Sequence, residues 1–202
     1  KAIDRMDVLA ALAQKLPTVD TVLVIGYLSA QPDCSSLPNA MLFDQAMANA
    51  TAITQFRRMP FNAPLYILYS SGTTGAPKCI VHGIGGTLIQ HIKEHRLHTN
   101  VQPGDRLFYF TTCGWMMWNW LVSGLASKAH ILLYEGNPAY PGADRLWRLA
   151  EGEKISIFGT SAKYIDSIKT SGFCPADNVN LSSLRSILST GSPLSSDGFA
   201  FV

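Results

Sequence analysis

The stretch Leu65–Lys78 decides the fold, and it reads Leu-Tyr-Ile-Leu-Tyr-Ser-Ser-Gly-Thr-Thr-Gly-Ala-Pro-Lys. Its first five residues are apolar and aromatic, so they predict a buried β-strand. The chain then changes abruptly to small hydroxyl residues and glycines. Gly72 and Gly75 let the backbone approach a ligand with no Cβ in the way, and Lys78 adds a positive charge. A loop of this composition directly after a strand is typical of one that holds phosphate oxygens.

Two interpretations of this loop remain open on the pattern alone. A Ser/Thr/Gly-rich turn between two elements is the commoner structure for such a cluster. The loop is also not a Walker A sequence, because that pattern requires Gly-Lys-[Ser/Thr] in direct succession, whereas Pro77 precedes Lys78 and Cys79 follows it. If the loop binds phosphate, the residues that we expect to contact it are Ser70, Ser71, Gly72, Thr73, Thr74, Gly75 and Lys78.

Composition and charge narrow the class of protein. The 202 residues suffice for one sizeable core, and a content of 47% hydrophobic and 15% charged residues describes a globular chain. A net charge of +2 predicts neither a nucleic acid nor an acidic membrane as partner. The four cysteines include no Cys-x-x-Cys pair, so we expect a reducing, cytoplasmic setting without a disulfide framework.

Both ends of the chain look internal to a longer sequence. The chain starts at Lys1 rather than at methionine, and its first segment does not have the character of a signal peptide. The last five residues, 198–202, are mostly apolar and end without a helix cap. We therefore expect residues 1–202 to be a piece of a larger protein.

The order of helix-like and strand-like segments predicts the fold class. From residue 131 onward they alternate, which indicates a layered α/β fold with a largely parallel sheet flanked by helices. In an open sheet of this kind, ligands lie beyond the carboxyl ends of the strands. We expect one crevice to gather residues 70–78, 111–117, 159–161 and 190–193. Strands are predicted at 21–27, 65–69, 80–82, 107–110, 131–134, 155–158 and 184–188, and helices at 6–16, 42–50, 85–98, 118–126, 143–151 and 162–169.

The helix predicted over residues 85–98 carries His91, Glu94 and His95 in the His-x-x-Glu-His order of one class of zinc hydrolases. A zinc site would also need a third protein ligand and an open water position. So short a pattern arises often by chance, and we predict no metal ligand here. The favoured alternative is a surface helix with these residues on its polar face and an inward apolar face of Leu88, Ile89, Ile92 and Leu97.

Residues 111–120, Thr-Thr-Cys-Gly-Trp-Met-Met-Trp-Asn-Trp, have the most unusual composition in the chain. A membrane span is excluded, because it needs roughly 20 apolar residues and polar residues interrupt this stretch. Part of the stretch is expected in the core. Trp115, Met116 and Met117 nevertheless suit a pocket wall, since an indole gives a flat rigid face and methionine fills irregular gaps around a small acyl chain.

Several segments together resemble the adenylate-forming enzymes, and most closely the acetoacetyl-CoA synthetases among them. The resemblance extends over nearly the whole chain, more weakly before residue 60, and the Trp-Met-Met-Trp-Asn-Trp run is its most specific part. The segments that carry it are Leu-Tyr-Ile-Leu-Tyr-Ser-Ser-Gly-Thr-Thr-Gly, Gln-His-Ile-Lys-Glu-His, Gly-Asp-Arg-Leu-Phe-Tyr-Phe-Thr-Thr-Cys-Gly-Trp-Met-Met-Trp-Asn-Trp-Leu, Phe-Gly-Thr-Ser-Ala-Lys-Tyr and Ile-Leu-Ser-Thr-Gly-Ser-Pro-Leu.

The resemblance implies a two-step acid–thiol ligase acting on small molecules. ATP and Mg²⁺ would activate acetoacetate to acetoacetyl-AMP with release of pyrophosphate, and CoA would then take the acyl group and release AMP. It also implies that residues 1–202 are an incomplete part of the large N-terminal AMP-binding domain. The Mg²⁺ ligands and the C-terminal small domain would lie outside this chain, which would be inactive alone. The nearest alternatives are a ligase for another short acid and a non-catalytic nucleotide-binding module.

The resemblance also implies a role for each matching residue. Residues 70–78 would hold the β- and γ-phosphates, with Thr73 and Lys78 acting in catalysis. A segment opposite would lie against adenine, although Ser192 replaces the glutamate found in the related acetyl-CoA synthetases. The adenine segment is Gly191, Ser192 and Pro193, and the acyl pocket is Trp115, Met116, Met117, Ser161 and Ala162.

Overall fold

A computed structural model describes residues 3–70 and 75–202, and the chain divides into two units that meet in sequence between Arg58 and Met59. In the first unit, helix α1 (Met6–Gln14) precedes two short parallel strands and a second helix. Both predicted helices are confirmed. The strand predicted over 21–27 is shorter than expected because its partner offers only three residues for pairing. The remaining elements are β1 (Val22–Val24), β2 (Ala40–Leu42) and α2 (Phe43–Ala48).

The second unit begins with an antiparallel hairpin. Strand β3 (Pro64–Ser70) pairs with β4 (Lys78–Gly83), so both predicted strands are confirmed. The expected burial of β3 is wrong, since Ile67 remains 52% exposed and Tyr69 69% exposed. Among the described residues, the sheet that contains these strands has only two members, so both of its edges are unpaired.

A helix follows the hairpin directly. Helix α3 (Ile84–Lys93) continues into one π-helical turn at Glu94–His98, within the range predicted as helix. The predicted orientation of this helix is wrong. His91 and His95 are buried, whereas Leu88 and Leu97 are exposed. For His95 the reason is that its imidazole faces helix α4 (Met116–Ser123), where the Trp120 carbonyl and the Ser123 hydroxyl lie within hydrogen-bond distance.

A four-stranded parallel sheet forms the centre of the second unit. Its order is β6-β5-β7-β8, and every neighbouring pair is parallel, so the predicted α/β class with a largely parallel sheet is confirmed. The crossovers contain helices that cover its two faces. The strands are β5 (Arg106–Tyr109), β6 (His130–Leu132), β7 (Ile157–Ser161) and β8 (Ser186–Thr190).

Two clusters of apolar side chains pack on the two faces of this sheet. On one face Leu107 and Ile157 meet the side chains of α4, including Trp120. On the other face Phe108 and Phe158 meet the α5 and α6 side chains. The helices are α4 (Met116–Ser123, followed by a 3₁₀ turn at Gly124–Ser127), α5 (Arg145–Gly152), α6 (Ala162–Ser171), α7 (Pro175–Asn178) and α8 (Ser196–Phe201).

Strands β7 and β8 both start two residues later than predicted, and they end three and two residues later, respectively. Ile155 is buried and apolar, yet its N–H donates to the carbonyl of Ala150 at 2.9 Å, so it belongs to the turn after α5. Leu184 likewise closes a turn by donating to Leu181. The sequence therefore predicted the burial of these two residues, but it did not predict that their N–H groups bond within turns rather than within a sheet. Within residues 3–70 and 75–202, none of the helices combines the length and the apolar character that crossing a bilayer requires.

Candidate functional site

A crevice of about 330 Å³ opens at the carboxyl ends of strands β5, β7 and β8, and we call it the strand-end crevice. Its position is the one that an open parallel sheet offers to a ligand. Aromatic and sulfur-containing side chains form the walls of the crevice, and hydroxyl groups lie along the strand ends. It is lined by Tyr109, Phe110, Thr111, Thr112, Trp115, Met117, Thr160, Ser161, Thr190 and Gly191.

The fold explains why this crevice exists. Gly159 faces Tyr109, and a Cβ at position 159 would lie only 2.0 Å from the tyrosine ring, so glycine is required for the two strands to pair. The Tyr109 hydroxyl donates to the carbonyl of Thr160 at 2.9 Å, which fixes the ring across the base of the crevice. Burial raises the pKa of Tyr109 to about 12, so this hydroxyl stays protonated at neutral pH.

The aromatic wall is positioned by the start of helix α4. Trp115 lies directly before the first helical residue, in an extended conformation, and its N–H donates to the Thr112 carbonyl at 3.0 Å. Its indole is exposed on the rim of the crevice, while Met117 is half-buried within it. Rim and wall together give an apolar surface suited to a short acyl group.

Three of the four segments expected at strand ends meet in this crevice. Trp115, Met117, Ser161 and Gly191 line it as expected. Gly191 has a φ of +92°, a left-handed conformation that favours glycine over other residues and turns the chain after β8. The same segments also contribute Thr111, Thr112, Thr160 and Thr190, whereas the remaining residues predicted for the acyl pocket and the adenine site are not among the lining residues. Met116 is exposed, Ala162 is buried at the start of α6, and Ser192 and Pro193 are exposed beyond the crevice.

The fourth segment lies at the end of the β3–β4 hairpin. Ser70 is the last residue of β3 and pairs with Lys78, the first residue of β4. Gly75 has a φ of +95°, as a tight loop return demands, and both Gly75 and Lys78 are exposed. The predictions for Ser71, Gly72, Thr73 and Thr74 concern residues outside the described part of the chain. None of the described hairpin residues lines the strand-end crevice.

Sequence reasoning missed two residues of the crevice, Tyr109 and Phe110. Both lie directly before the segment 111–117 that was selected at the end of the strand. A signal was present for Tyr109, because side chains alternate along a strand and this position shares a face with Leu107. The register between β5, β7 and β8 was needed to recognise it.

A buried polar network holds the far end of helix α4. His95 Nε2 lies 3.0 Å from the carbonyl oxygen of Trp120 and 2.9 Å from Ser123 Oγ. A carbonyl oxygen only accepts, so Nε2 carries the hydrogen. Glu94 accepts a hydrogen bond from the Trp120 indole at 3.1 Å. These side chains therefore have a structural role. Among the described residues, no group of three or more His, Cys, Asp or Glu side chains is placed to hold a metal ion.

Burial keeps His95 neutral, because it lowers the pKa of the imidazole. Its side chain is fully buried, and its other ring nitrogen, Nδ1, has no hydrogen-bond partner among the described residues. Burial lowers the pKa of His95 from 6.5 to about 4, because protonation would place an unsolvated charge beside α4, and the nearby His91 lowers it further. The Trp120 carbonyl and the Glu94 carboxylate oppose this effect only in part.

We expect the stability of the chain to fall as the pH is lowered from 6.5 towards 4. In that window the unfolded state binds a proton at His95 and the folded state does not, so the free energy of unfolding decreases, by up to about 3 kcal/mol. Urea unfolding at pH 7.5, 6 and 5 measures the slope. His95→Gln should flatten it, whereas His130→Gln, at an exposed position, should not. A wild-type slope of zero between pH 6.5 and 5 would contradict the expectation.

A second cavity, of about 390 Å³, lies between the hairpin and helices α3 and α4. Its walls include Leu65, Trp118 and Val122, and the buried His91 faces it. The Nδ1 atom of His91 has no partner among the described residues, and burial lowers its pKa, so this imidazole is also held neutral. The cavity is mainly apolar and lies on the other side of α4 from the strand-end crevice.

Comparison with known proteins shows the family to which this chain belongs. A family model described as AMP-binding enzyme matches residues 2–202. The chain belongs to the AMP-binding enzyme family. The assignment confirms the resemblance stated from the sequence at the level of family and fold.

Individual relatives give a finer picture. An acetoacetyl-coenzyme A synthetase of Rhizobium meliloti is 62% identical over 147 residues, which cover 73% of this chain and 23% of that protein. The solved structure of an acetoacetyl-CoA synthetase from Streptomyces lividans matches with a TM-score of 0.89 and 42% identity, covering 100% of this chain and 30% of that one. A malonamoyl-CoA synthetase of Penicillium aethiopicum is 41% identical, covering 93% of this chain and 29% of that protein. The chain thus spans less than a third of the length of these relatives.

Proposed function

We propose that this chain is part of the AMP-binding domain of a longer acid–thiol ligase that activates acetoacetate with ATP and transfers it to CoA. The observation that carries the proposal is the strand-end crevice, whose Trp115–Met117 wall belongs to the segment that most specifically resembles acetoacetyl-CoA synthetases. The 62% identity to a relative of that name supports it. The small crevice volume, about 330 Å³, also favours a short acid over a long one.

The proposed reaction has two steps. In the first, a carboxylate oxygen of the acid attacks the α-phosphorus of ATP, and the bond to the bridging oxygen breaks with pyrophosphate leaving. In the second, the CoA thiol attacks the carbonyl carbon of the mixed anhydride and AMP leaves. Negative charge accumulates on the phosphates in the first step, so positioned cations and N–H groups are the main source of rate enhancement.

Residues of this chain would act on both reactants of the first step. We propose that Lys78 and the loop of residues 70–75 bind the β- and γ-phosphates, because Lys78 is an exposed cation fixed at the start of β4 opposite Ser70. The left-handed turn at Gly191 would leave room for the adenine ring beside β8. Trp115 and Met117 would exclude water from the acyl group.

Mg²⁺ and CoA both take part in the proposed reaction. ATP-dependent adenylation uses Mg²⁺ to offset phosphate charge. On the resemblance to acetoacetyl-CoA synthetases, we propose that the Mg²⁺ ligands belong to the part of the longer protein outside this chain. We also propose a cytoplasmic location, which the free thiols of all four cysteines support.

A second candidate is a ligase for another short acid, and one relative favours it. The malonamoyl-CoA synthetase is 41% identical, so closely related pockets are associated with more than one acyl group. Acetoacetyl and malonamoyl groups both carry a carbonyl at C3 and differ at the end of the chain, methyl in one and amine in the other. The acid is therefore best described as a short 3-oxo acid or its amide analogue.

The proposal is tested by acid-dependent ATP–pyrophosphate exchange. The full-length protein should show exchange with acetoacetate well above that with acetate or butyrate. The isolated 202-residue chain should show none, because the remaining parts of the adenylation site would be missing. Exchange by the isolated chain would contradict the proposed division of the site. A full-length protein that prefers malonamate would favour the second candidate, and one with no exchange on any short acid would favour a non-catalytic nucleotide-binding module.

A further inference from the structure

The hydroxyl of Ser161 is held at the strand-end crevice with its hydrogen free. Ser161 is the last residue of β7, half-buried, and it caps helix α6. Its Oγ accepts a hydrogen bond from the N–H of Tyr164 at 3.2 Å. Among residues 3–70 and 75–202, the hydroxyl donates to no acceptor. Capping fixes the oxygen and leaves one donor available to a ligand.

The other hydroxyl groups of the crevice are less suited to that task. The Tyr109 hydroxyl already donates to the Thr160 carbonyl at 2.9 Å. Thr112 and Thr190 are exposed, so water satisfies their hydroxyls at no cost. The Thr160 hydroxyl has no partner among the described residues either, but its Oγ1 is fully buried and offers no surface to a ligand. The Thr111 hydroxyl donates to the Thr112 carbonyl at 3.4 Å. Ser161 is thus the crevice hydroxyl that combines a fixed position, partial exposure and an uncommitted hydrogen.

We propose that Ser161 determines acid specificity by donating a hydrogen bond to a carbonyl oxygen at C3 of the substrate. This inference rests on the proposed function, since it concerns the same crevice and the same class of acid. Its support is the chemistry shared by the acyl groups in the names of two relatives, acetoacetyl and malonamoyl, which have the C3 carbonyl in common. A site that binds both acyl groups needs a hydrogen-bond donor next to the C3 carbonyl. It must also accommodate either a methyl or an amino group at the end of the acyl chain.

The apolar wall explains why one donor is sufficient. Met117 has no hydrogen-bond donor, and the indole of Trp115 is exposed on the rim, so this wall is expected to accept either a terminal methyl or a flat amide. A C3 carbonyl oxygen buried against them without a partner would lose its hydration uncompensated. With butyrate, which has a methylene at C3, the Ser161 hydroxyl would be the group left unsatisfied. Discrimination between the two acids then follows from one hydrogen bond.

The test compares acids within one protein. In the full-length enzyme, kcat/KM for ATP–pyrophosphate exchange is measured with acetoacetate, malonamate and butyrate. Ser161→Ala should lower kcat/KM for acetoacetate and for malonamate about tenfold relative to butyrate. The matched control is Ser167→Ala, which removes a hydroxyl from the same helix that bonds the carbonyl of the same Tyr164 but lies outside the crevice, and it should leave the ratio unchanged.

The ratio of kcat/KM for acetoacetate or malonamate to kcat/KM for butyrate separates loss of the substrate contact from loss of the helix cap. A weakened cap affects all three acids equally, so an equal fall for all three in Ser161→Ala overturns the Ser161 proposal and leaves the proposed function standing. Ser161→Gly removes the same hydroxyl with little capping cost and should reproduce the change in ratio if the alanine variant folds poorly. An unmodified enzyme that uses butyrate but neither 3-oxo acid overturns the proposed function, and the role of Ser161 with it.

Discussion

Replacement of Lys78 by methionine is expected to reduce acetoacetate-dependent ATP–pyrophosphate exchange of the full-length protein by about 10²–10³-fold. Methionine keeps the length of the side chain and removes the charge that would offset the developing negative charge on the phosphates. Lys78 is exposed, so no buried partner is disturbed by the change. The strand itself should persist, because the β3–β4 pairing uses backbone groups.

The matched control for this variant is Lys93→Met, which removes an exposed lysine at the end of helix α3. Its exchange activity should remain within a factor of about two of wild type. ATP affinity is measured in parallel by equilibrium dialysis and should weaken in Lys78→Met alone. Unchanged ATP affinity together with unchanged exchange would remove Lys78 from the phosphate site and would favour a hairpin without a phosphate-binding role.

Replacement of Phe158 by alanine is expected to destabilise the chain by about 3–5 kcal/mol. Phe158 is fully buried in the central strand β7, and its ring stacks on Trp147 with centroids 4.7 Å apart and an interplanar angle of 11°. Phe108 and Tyr164 contact it from two further sides, at centroid distances of 5.1 and 6.4 Å. Alanine would leave a cavity bounded by three large rigid rings, which cannot collapse into it.

Urea unfolding at pH 7.5 measures this loss. Phe199→Ala is the control, because Phe199 is 70% exposed on α8, and its change should stay within about 0.5 kcal/mol. The positions of Gly159 and Ser161 depend on β7, so Phe158→Ala should also weaken exchange in the full-length protein in proportion to the unfolded fraction. A loss below about 1 kcal/mol would show that the aromatic cluster rearranges to fill the space.

Much of the fold was predictable because its signals are local. Alternating apolar strands and amphipathic helices after residue 131 identified the parallel α/β class, and the composition of residues 111–117 located one wall of the crevice. Strand boundaries were less accurate where an apolar residue is buried for another reason. Ile155 has the side chain of a strand residue and the hydrogen bond of a helix end.

The orientation of helix α3 was not predictable, because it depends on residues far away in sequence. His95 is polar by composition, and it is buried because the Trp120 carbonyl and Ser123 hydroxyl, 25 and 28 residues further on, satisfy its ring nitrogen. Tyr109 was missed in the crevice for a similar reason. Its direction is set by Gly159 on the neighbouring strand, fifty residues later. Partners at this separation leave no mark in the local pattern.

The open β3–β4 hairpin has a consequence for synthesis of the protein. Its strands pair across a short loop, so the hairpin can form as soon as Gly83 has left the ribosome. The central sheet cannot begin before Leu132, because β5 pairs first with β6. At about 5–20 residues per second, the delay amounts to roughly 2–10 seconds. During that interval the nascent hairpin has two unpaired edges, so we expect this segment to be the part of the chain most exposed to pairing with other strands.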